Sequence, residues 1–91
     1  MRNKTLIHKR IARTWTGDPI ELEYYLIFDA VLDGCAESYG VEVCCRSKTG
    51  MEYAGVGNIT MLGTRILELI DLLAAGSVTP TGLSDVIEDW L

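Results

Sequence analysis

The sequence feature that most constrains the fold is a strict two-residue periodicity from Ile20 to Leu32. Across these 13 residues an apolar side chain occupies every second position, and charged side chains occupy several of the positions between. Such alternation is typical of a long β-strand with one buried face, because successive side chains of a strand point to opposite faces. The Asp33-Gly34 pair that follows favours a turn, since both residues tolerate positive φ. We therefore predict a strand over residues 20–32 that begins a hairpin.

The same periodicity predicts a neighbouring strand over residues 38–46. The segment Ser47-Lys48-Thr49-Gly50 then forms a closing turn, and residues 51–56 form a shorter strand. Two glycines near the end of this strand, Gly55 and Gly57, weaken it. They indicate a β-bulge or a place where another backbone approaches closely.

Upstream, residues 5–15 allow two interpretations. Ile7, Ile11 and Trp15 fit the spacing of a helix, and they also fit every second position on one face of a strand. We favour a strand, because Thr16-Gly17-Asp18-Pro19 is a turn sequence that leads directly into the long strand.

The period changes in the second half of the chain, where apolar side chains recur at intervals of three and four. A helix is predicted over residues 61–75, with Thr60 as its N-terminal cap and Gly76 at its end. Its apolar positions are Leu62, Ile66, Leu69, Ile70 and Leu73. This spacing places them on one face of an amphipathic helix.

A second helix is predicted over residues 80–91. Thr79 supplies a capping hydroxyl, and Pro80 occupies the first helical position, where no N–H is needed. An apolar stripe follows, made of Leu83, Val86, Ile87, Trp90 and Leu91. We expect this stripe to dock on the chain's own sheet, and we expect the acids opposite it to form an outward ridge.

The element order, with strands first and helices last, predicts an α+β fold: a four-stranded antiparallel β-meander followed by two α-helices packed on one face. With 91 residues, of which 48% are hydrophobic and 23% charged, the chain fits a single globular domain over residues 1–91. A domain of this size buries only about 60% of the surface of its unfolded chain, so self-association would add stability. A homodimer is therefore an open alternative.

The net charge of −5 comes from the second half of the chain. Residues 1–50 hold seven basic and seven acidic side chains, whereas residues 51–91 hold Arg65 against six acids. This excess disfavours nucleic acid as a partner, because phosphates would be repelled. The sequence contains no run of about 18 apolar residues, so no membrane span is expected. With no export signal and three cysteines, we expect a cytoplasmic protein with reduced thiols.

No pattern of catalytic or metal-binding residues is recognisable in the sequence. His8 has no acidic neighbour in sequence and is interpreted as a surface residue rather than a general base. Cys44 and Cys45 are adjacent on a strand, so their side chains point to opposite faces and cannot readily chelate one ion. Cys35 could approach one of them across the hairpin, but small apolar residues in or beside the core are the simpler interpretation. We therefore predict no catalytic residue, no metal and no cofactor.

Several stretches of the sequence resemble a known family. They are Tyr39–Val43, Asn58–Thr60 before a leucine-rich helix, Val78–Pro80 and Leu83–Leu91. Together they cover roughly residues 20–91 and are similar to a domain-of-unknown-function family of small uncharacterised proteins from clostridia and other Firmicutes. The resemblance implies a bacterial origin and no known activity. The basic first strand and the paired cysteines fall outside the family pattern.

One face of the long strand is unusually apolar for a solvated surface. Tyr25, Ile27 and Val31 lie on it, and they form either a partner-binding patch or a surface covered by a helix or a second subunit. The second predicted partner-binding surface is the acidic ridge of the last helix, made of Asp85, Glu88 and Asp89.

These observations predict a non-enzymatic, small, acidic protein-interaction module, such as a bacterial or phage-encoded regulator or inhibitor. A host defence nuclease is one example of a target, because clustered carboxylates can occupy a site built for phosphates. The alternative is a small-ligand sensor or cryptic enzyme with a pocket between the sheet and the helices. Tyr24, Phe28 and Trp90 would line that pocket.

Overall fold

The computed structural model describes residues 2–31 and 36–90. The four strands are β1 (Arg2–Arg13), β2 (Pro19–Val31), β3 (Ala36–Ser47) and β4 (Gly50–Thr60). They are followed by helix α1 (Gly63–Ala75), a short 3₁₀ helix (Pro80–Gly82) and helix α2 (Leu83–Trp90). The strands form one antiparallel sheet in the order β1-β2-β3-β4. The predicted α+β fold, a four-stranded meander followed by two helices, is confirmed.

The turn between β1 and β2 begins earlier than predicted. The Thr14 N–H donates to the Asp18 carbonyl oxygen (2.9 Å), and the Gly17 N–H donates to the Thr14 carbonyl oxygen (2.8 Å). Gly17 has a φ of 90°, which glycine adopts without steric cost. The prediction that Trp15 belongs to the strand is wrong, because this residue lies in the turn and is 97% exposed. The predicted turn at Asp33-Gly34, together with Leu32, Cys35 and Leu91, lies outside the described residues.

One face of the sheet packs against both helices. Leu22 and Tyr24 of β2 are fully buried there with Val41 and Val43 of β3. The helices contribute Ile66, Leu69, Ile70 and Leu73 of α1 and Leu83 and Ile87 of α2. The Tyr24 hydroxyl donates a hydrogen bond to the Val78 carbonyl oxygen (2.9 Å), and burial raises the pKa of Tyr24 to about 12. The alternation in β2 thus correctly predicts that Leu22 and Tyr24 face the core.

Both helices begin differently from the prediction. The first helical residue of α1 is Gly63, and the Thr60 hydroxyl accepts a hydrogen bond from the Leu62 N–H (3.1 Å) just before the helix. Leu62 is exposed and not a core residue, because it precedes the first helical turn. Pro80 begins a 3₁₀ turn instead of an α-helix, and within the described residues the Thr79 side chain makes no capping hydrogen bond.

The predicted apolar stripe of α2 reaches the core in part. Leu83 and Ile87 are buried, whereas Val86 and Trp90 are half-buried. The centre of the Trp90 ring lies 4.5 Å from the guanidinium of Arg65 in α1. The helix therefore docks on the chain's own core mainly through two aliphatic side chains, and the tryptophan packs at the periphery of this core.

The pairing of β3 with β4 shifts register beside Gly40. Gly40 is buried, and a Cβ at this position would overlap the Val56 carbonyl oxygen and lie 2.7 Å from the Gly57 Cα. The register shift and the close approach involve Gly57, one of the two glycines from which a bulge or a close backbone approach was predicted, whereas Gly55 pairs regularly with Glu42. The predicted end of the strand at residue 56 is wrong, because β4 continues to Thr60. A residue without a side chain is required at position 40, because the two backbones leave no room for one.

Gly40→Ala should lower the free energy of unfolding by about 1 to 3 kcal/mol, because the added methyl group overpacks two backbones. Gly55→Ala is the matched control, since its Cβ would lie 3.4 Å from the nearest atom. This control should change the free energy of unfolding by at most about 1 kcal/mol. Urea denaturation followed by circular dichroism measures both variants. Equal denaturation midpoints would contradict the close approach at Gly40.

Ile87→Ala should lower the free energy of unfolding by about 2 to 5 kcal/mol, because it removes a buried branched side chain. Trp90→Ala should cost less than Ile87→Ala, although it removes more atoms, because Trp90 is only half-buried. The same denaturation experiment ranks the two variants. A larger loss for Trp90→Ala would show that the tryptophan, and not the aliphatic pair, anchors α2.

Candidate functional site

The face of the sheet opposite the helices is the candidate site, and we call it the open face. It is made of the side chains that alternate with the core residues along each strand. They are Lys4, Leu6, Lys9 and Ile11 in β1, Glu21, Glu23, Tyr25 and Ile27 in β2, Glu42, Cys44 and Arg46 in β3, and Met51, Tyr53 and Gly55 in β4. Four large apolar members are exposed: Leu6, Ile11, Met51 and Tyr53. A solvated sheet face normally carries polar side chains, so these groups mark a candidate interaction surface.

A groove of about 350 Å³ lies in the open face. All four strands contribute to its wall, through Lys4, Tyr25, Glu42, Cys44, Arg46, Met51 and Tyr53. The antiparallel register brings these residues together, because Tyr25 lies opposite Glu42 and Cys44 lies opposite Tyr53. The wall therefore combines two phenol rings and a thioether with two cations and a carboxylate.

An ion pair crosses β2 at one end of the groove. The Lys4 Nζ lies 2.8 Å from the Glu42 Oε2, so β1 and β3 are joined across the strand between them. The hydrogen bond to Glu42 raises the pKa of Lys4, and the ammonium also lies 4.6 Å from the centre of the Tyr25 ring. Ile27 lies beside this pair and is only 3% exposed. The long Lys4 side chain thus shields an apolar side chain on a face that no described helix covers.

Two further ion pairs extend across the open face. The Arg46 Nε donates to the Glu23 Oε1 at 3.0 Å, and Glu23 is almost fully buried. This hydrogen bond lowers the pKa of Glu23, although burial of the carboxylate opposes the shift. The Lys9 Nζ lies 2.6 Å from the Glu21 Oε1, and their hydrogen bond raises the pKa of Lys9. Three cations of the open face are therefore already neutralised by carboxylates of neighbouring strands.

The two described cysteines lie on opposite faces of β3, as predicted. Cys44 is buried in the wall of the groove, and Cys45 packs partly against the core. Burial raises the pKa of both thiols, so it disfavours the nucleophilic thiolate. Within residues 2–31 and 36–90, no three His, Cys, Asp or Glu side chains form a group that could hold a metal ion.

His8 has an acidic partner that the sequence did not reveal. Its Nε2 lies 2.5 Å from the Oδ1 of Asp71, which is 63 residues away in α1. Both side chains are substantially exposed, so the contact links β1 to α1 at the surface. The interpretation of His8 as a surface residue agrees with this position. His8 has no acidic neighbour in the sequence, but the fold brings Asp71 next to it.

The predicted partner-binding residues fall on separate surfaces. Tyr25 lines the groove of the open face, whereas Ile27 is buried beside Lys4 and offers little contact area. The Val31 side chain is outside the described part of the chain. The acids Asp85, Glu88 and Asp89 are exposed on α2, on the far side of the core from the open face. The structure therefore does not combine the two predicted patches into one site.

Sequence reasoning missed most of the groove wall, namely Lys4, Glu42, Arg46, Met51 and Tyr53. The available signal was the alternation within each strand, which assigns every second residue to one face. It could not be used across strands, because the register of one strand against the next was unknown. Tyr24 was predicted to line a pocket between the sheet and the helices. Its side chain is instead fully buried, and its hydroxyl donates a hydrogen bond to the Val78 carbonyl oxygen. Tyr24 is thus a core residue.

A family model for a family of unknown function, DUF6514, matches residues 3–91. The chain belongs to this family. The match confirms the resemblance to an uncharacterised domain family and extends it to β1, which the resemblance noted in the sequence did not include. No curated protein and no solved structure matches the chain. Among the described residues, neither helix has the length and apolar character needed to cross a membrane.

Glu23→Gln should lower the free energy of unfolding at pH 7 by about 1 to 2 kcal/mol, because it removes a charged hydrogen bond to Arg46. Folding lowers the pKa of Glu23 below its ordinary value of 4.5. The stabilisation is therefore complete above that pH and is lost as the pH falls through the lower, folded-state pKa. The difference between Glu23→Gln and the wild type should consequently shrink below pH 4.5.

Glu21→Gln is the control for this prediction, because the Lys9–Glu21 pair is more exposed than the Arg46–Glu23 pair. Removing a solvent-exposed ion pair should cost less than about 1 kcal/mol. Urea denaturation at neutral and acidic pH measures all three proteins. A Glu23→Gln deficit that stays constant down to pH 3 would show that ionisation of Glu23 does not stabilise the fold.

Proposed function

We propose that the protein is a non-enzymatic protein-interaction module and that the open face is its binding surface. The observation that supports this proposal is the exposure of four large apolar side chains on that face: Leu6, Ile11, Met51 and Tyr53. Burial of such side chains against a partner is favourable by about 25 cal/mol for each Å² of apolar surface. A partner that covers the open face would therefore gain most of its binding energy from these groups.

The composition of the groove supports a protein partner over an anionic small molecule. Tyrosine, methionine and arginine are enriched in protein interfaces. The groove wall contains two tyrosines, one methionine and one arginine. Lys4 and Arg46 are each paired with a carboxylate, so neither is available as an unpaired charge for a phosphate or carboxylate ligand. The ion pairs hold both long side chains in place before binding, which lowers the entropic cost of association.

The same side chains support a non-enzymatic function. Cys44 is the one thiol in the groove wall, and burial raises its pKa, which weakens it as a nucleophile. Glu23 beside it has a lowered pKa because Arg46 binds it, which weakens it as a general base. These groups have the properties of structural residues.

The biological setting in this proposal is that of a bacterial or phage-encoded regulator or inhibitor that acts in the cytoplasm. The net charge of −5 favours a partner with a basic surface, such as a host defence nuclease, because it attracts such a partner at long range. The proposal includes reduced thiols, and Cys44 and Cys45 are free cysteines in the described part of the chain. A small-ligand sensor is the alternative, and the volume of the groove lies within the range of ligand pockets.

A double variant, Leu6→Ser with Ile11→Ser, should reduce capture of the partner at least about tenfold, because it removes two exposed apolar side chains from the open face. These residues are 45% and 76% exposed, so the fold should tolerate the change. The measurement is affinity capture from a lysate of the source cells, quantified by mass spectrometry. Both residues lie on β1, at the opposite edge of the sheet from β4.

The matched control is Leu62→Ser with Leu67→Ser, which removes two leucines that are 61% and 42% exposed outside the open face. The control should retain the partner. An equal loss in both double variants would place binding elsewhere and refute the proposal. If the partner instead bound only in the groove, the Leu6→Ser, Ile11→Ser variant would capture as much of it as the wild type, because neither residue lines the groove.

A further inference from the structure

The two edges of the sheet differ in their protection against pairing with another strand. The edge strand β1 carries five cations, Arg2, Lys4, Lys9, Arg10 and Arg13. The other edge strand, β4, has Glu52 as its single charged residue and contains no proline. Charged side chains and proline are the usual means of blocking an exposed strand edge. Sheet extension is therefore disfavoured at β1 and permitted at β4.

The regular part of β4 is its first seven residues. Pairing with β3 runs without interruption from Gly50 opposite Ser47 to Val56 opposite Val41, and the register shifts after that. Asn58 has a φ of 54°, which ends the flat part of the edge. Because β4 is the last strand in the sheet order, alternate backbone N–H and carbonyl groups of Gly50–Val56 point away from the sheet.

A shallow groove of about 360 Å³ follows this edge. Met51 to Ala54 form one side of it, and Pro80 and Thr81 of the 3₁₀ helix form the other. The helical layer thus borders the edge of β4 and leaves space beside it. A strand added at this edge could place the side chains of its helix-facing side in that space.

We infer that β4 pairs antiparallel with β4 of a second copy of this chain, about a two-fold axis at Tyr53. This register uses all of Gly50–Val56, since Tyr53 is the central residue of that stretch. It places Tyr53 opposite Tyr53 and the large Met51 opposite the small Gly55. Aromatic pairs across strands are favourable, and a large residue beside glycine fills the gap that glycine leaves.

The charge of β4 favours this register over a register shifted by one residue. In the Tyr53-centred pair Glu52 lies opposite Ala54, whereas a shift of the axis by one residue to Glu52 would bring two carboxylates together. Pairing of two β1 edges would instead join two strands of positive net charge, although Lys4 and Lys9 are paired with carboxylates. The result is a closed dimer with one continuous eight-stranded sheet, because a two-fold interface uses up the free edge of both copies. The β4 edge shares Met51 and Tyr53 with the open face but excludes β1, so the dimer does not depend on the proposed function.

Sedimentation velocity of the purified full chain, from micromolar to millimolar concentration, tests the inference. The wild type should shift from 10.1 kDa toward twice that mass as the concentration rises. Tyr53→Lys and Tyr53→Glu should each weaken the dimer at least about tenfold, because each places like charges face to face at the axis. An equimolar mixture of the two variants should restore the dimer, since lysine then faces glutamate. Tyr53 is 68% exposed, so neither change should unfold the monomer.

Leu67→Lys is the control, because it adds the same charge at an exposed apolar position of α1 and should leave the dimer unchanged. A wild type that remains at 10.1 kDa at all concentrations overturns the inference. So does a Tyr53→Lys variant that dimerises like the wild type, or a mixture that stays monomeric. The Leu6→Ser, Ile11→Ser double variant should still dimerise, so failure of the dimer and failure of partner binding can be told apart.

Discussion

Burial of one face of β2 and β3 beneath the two helices is the interaction on which the rest of the structure depends. Leu22, Tyr24, Val41 and Val43 are fully buried there, and each such side chain contributes about 1.5 to 3 kcal/mol. The helices need this contact, because α1 has 13 residues and α2 has eight, and isolated helices shorter than about 12 to 15 residues are marginal in water. Packing both helices on one side leaves the opposite face of the sheet without a helical cover.

The open face is organised by electrostatics and not by a second apolar layer. Its ion pairs cross from strand to strand, as between Lys4 and Glu42, and they shield parts of the sheet such as Ile27. Exposed ion pairs stabilise a fold by at most about 1 kcal/mol each, so the larger contributions of this face come from its buried members, Ile27, Cys44 and Glu23 with its partner Arg46. Its exposed apolar side chains can therefore serve binding, because the fold does not depend on them.

The two proposed surfaces meet at Tyr53, which lies on the open face and at the centre of the regular part of β4. Pairing through β4 would join the open faces of two copies into one larger surface. The acids of α2 would remain outside this surface, because they lie beyond the helical layer. A dimer would thus present its apolar face and its acidic ridges on opposite sides of the sheet.

The sequence by itself determined the types of most elements, their order and the core-facing side of β2, because these follow from local periods of two and of about 3.6 residues. It left the type of β1 open between strand and helix and did not predict the 3₁₀ helix at Pro80. The glycines of β4 also indicated a bulge or a close approach in that strand, but they did not identify Gly40 of β3 as the residue with no room for a side chain. Only the tertiary structure decided which side chains share a site. Lys4 meets Glu42 across 38 residues and His8 meets Asp71 across 63, and such contacts depend on strand register, on turns and on helix docking. Those are long-range choices that no local period encodes, because every residue of one strand can in principle lie opposite several residues of the next.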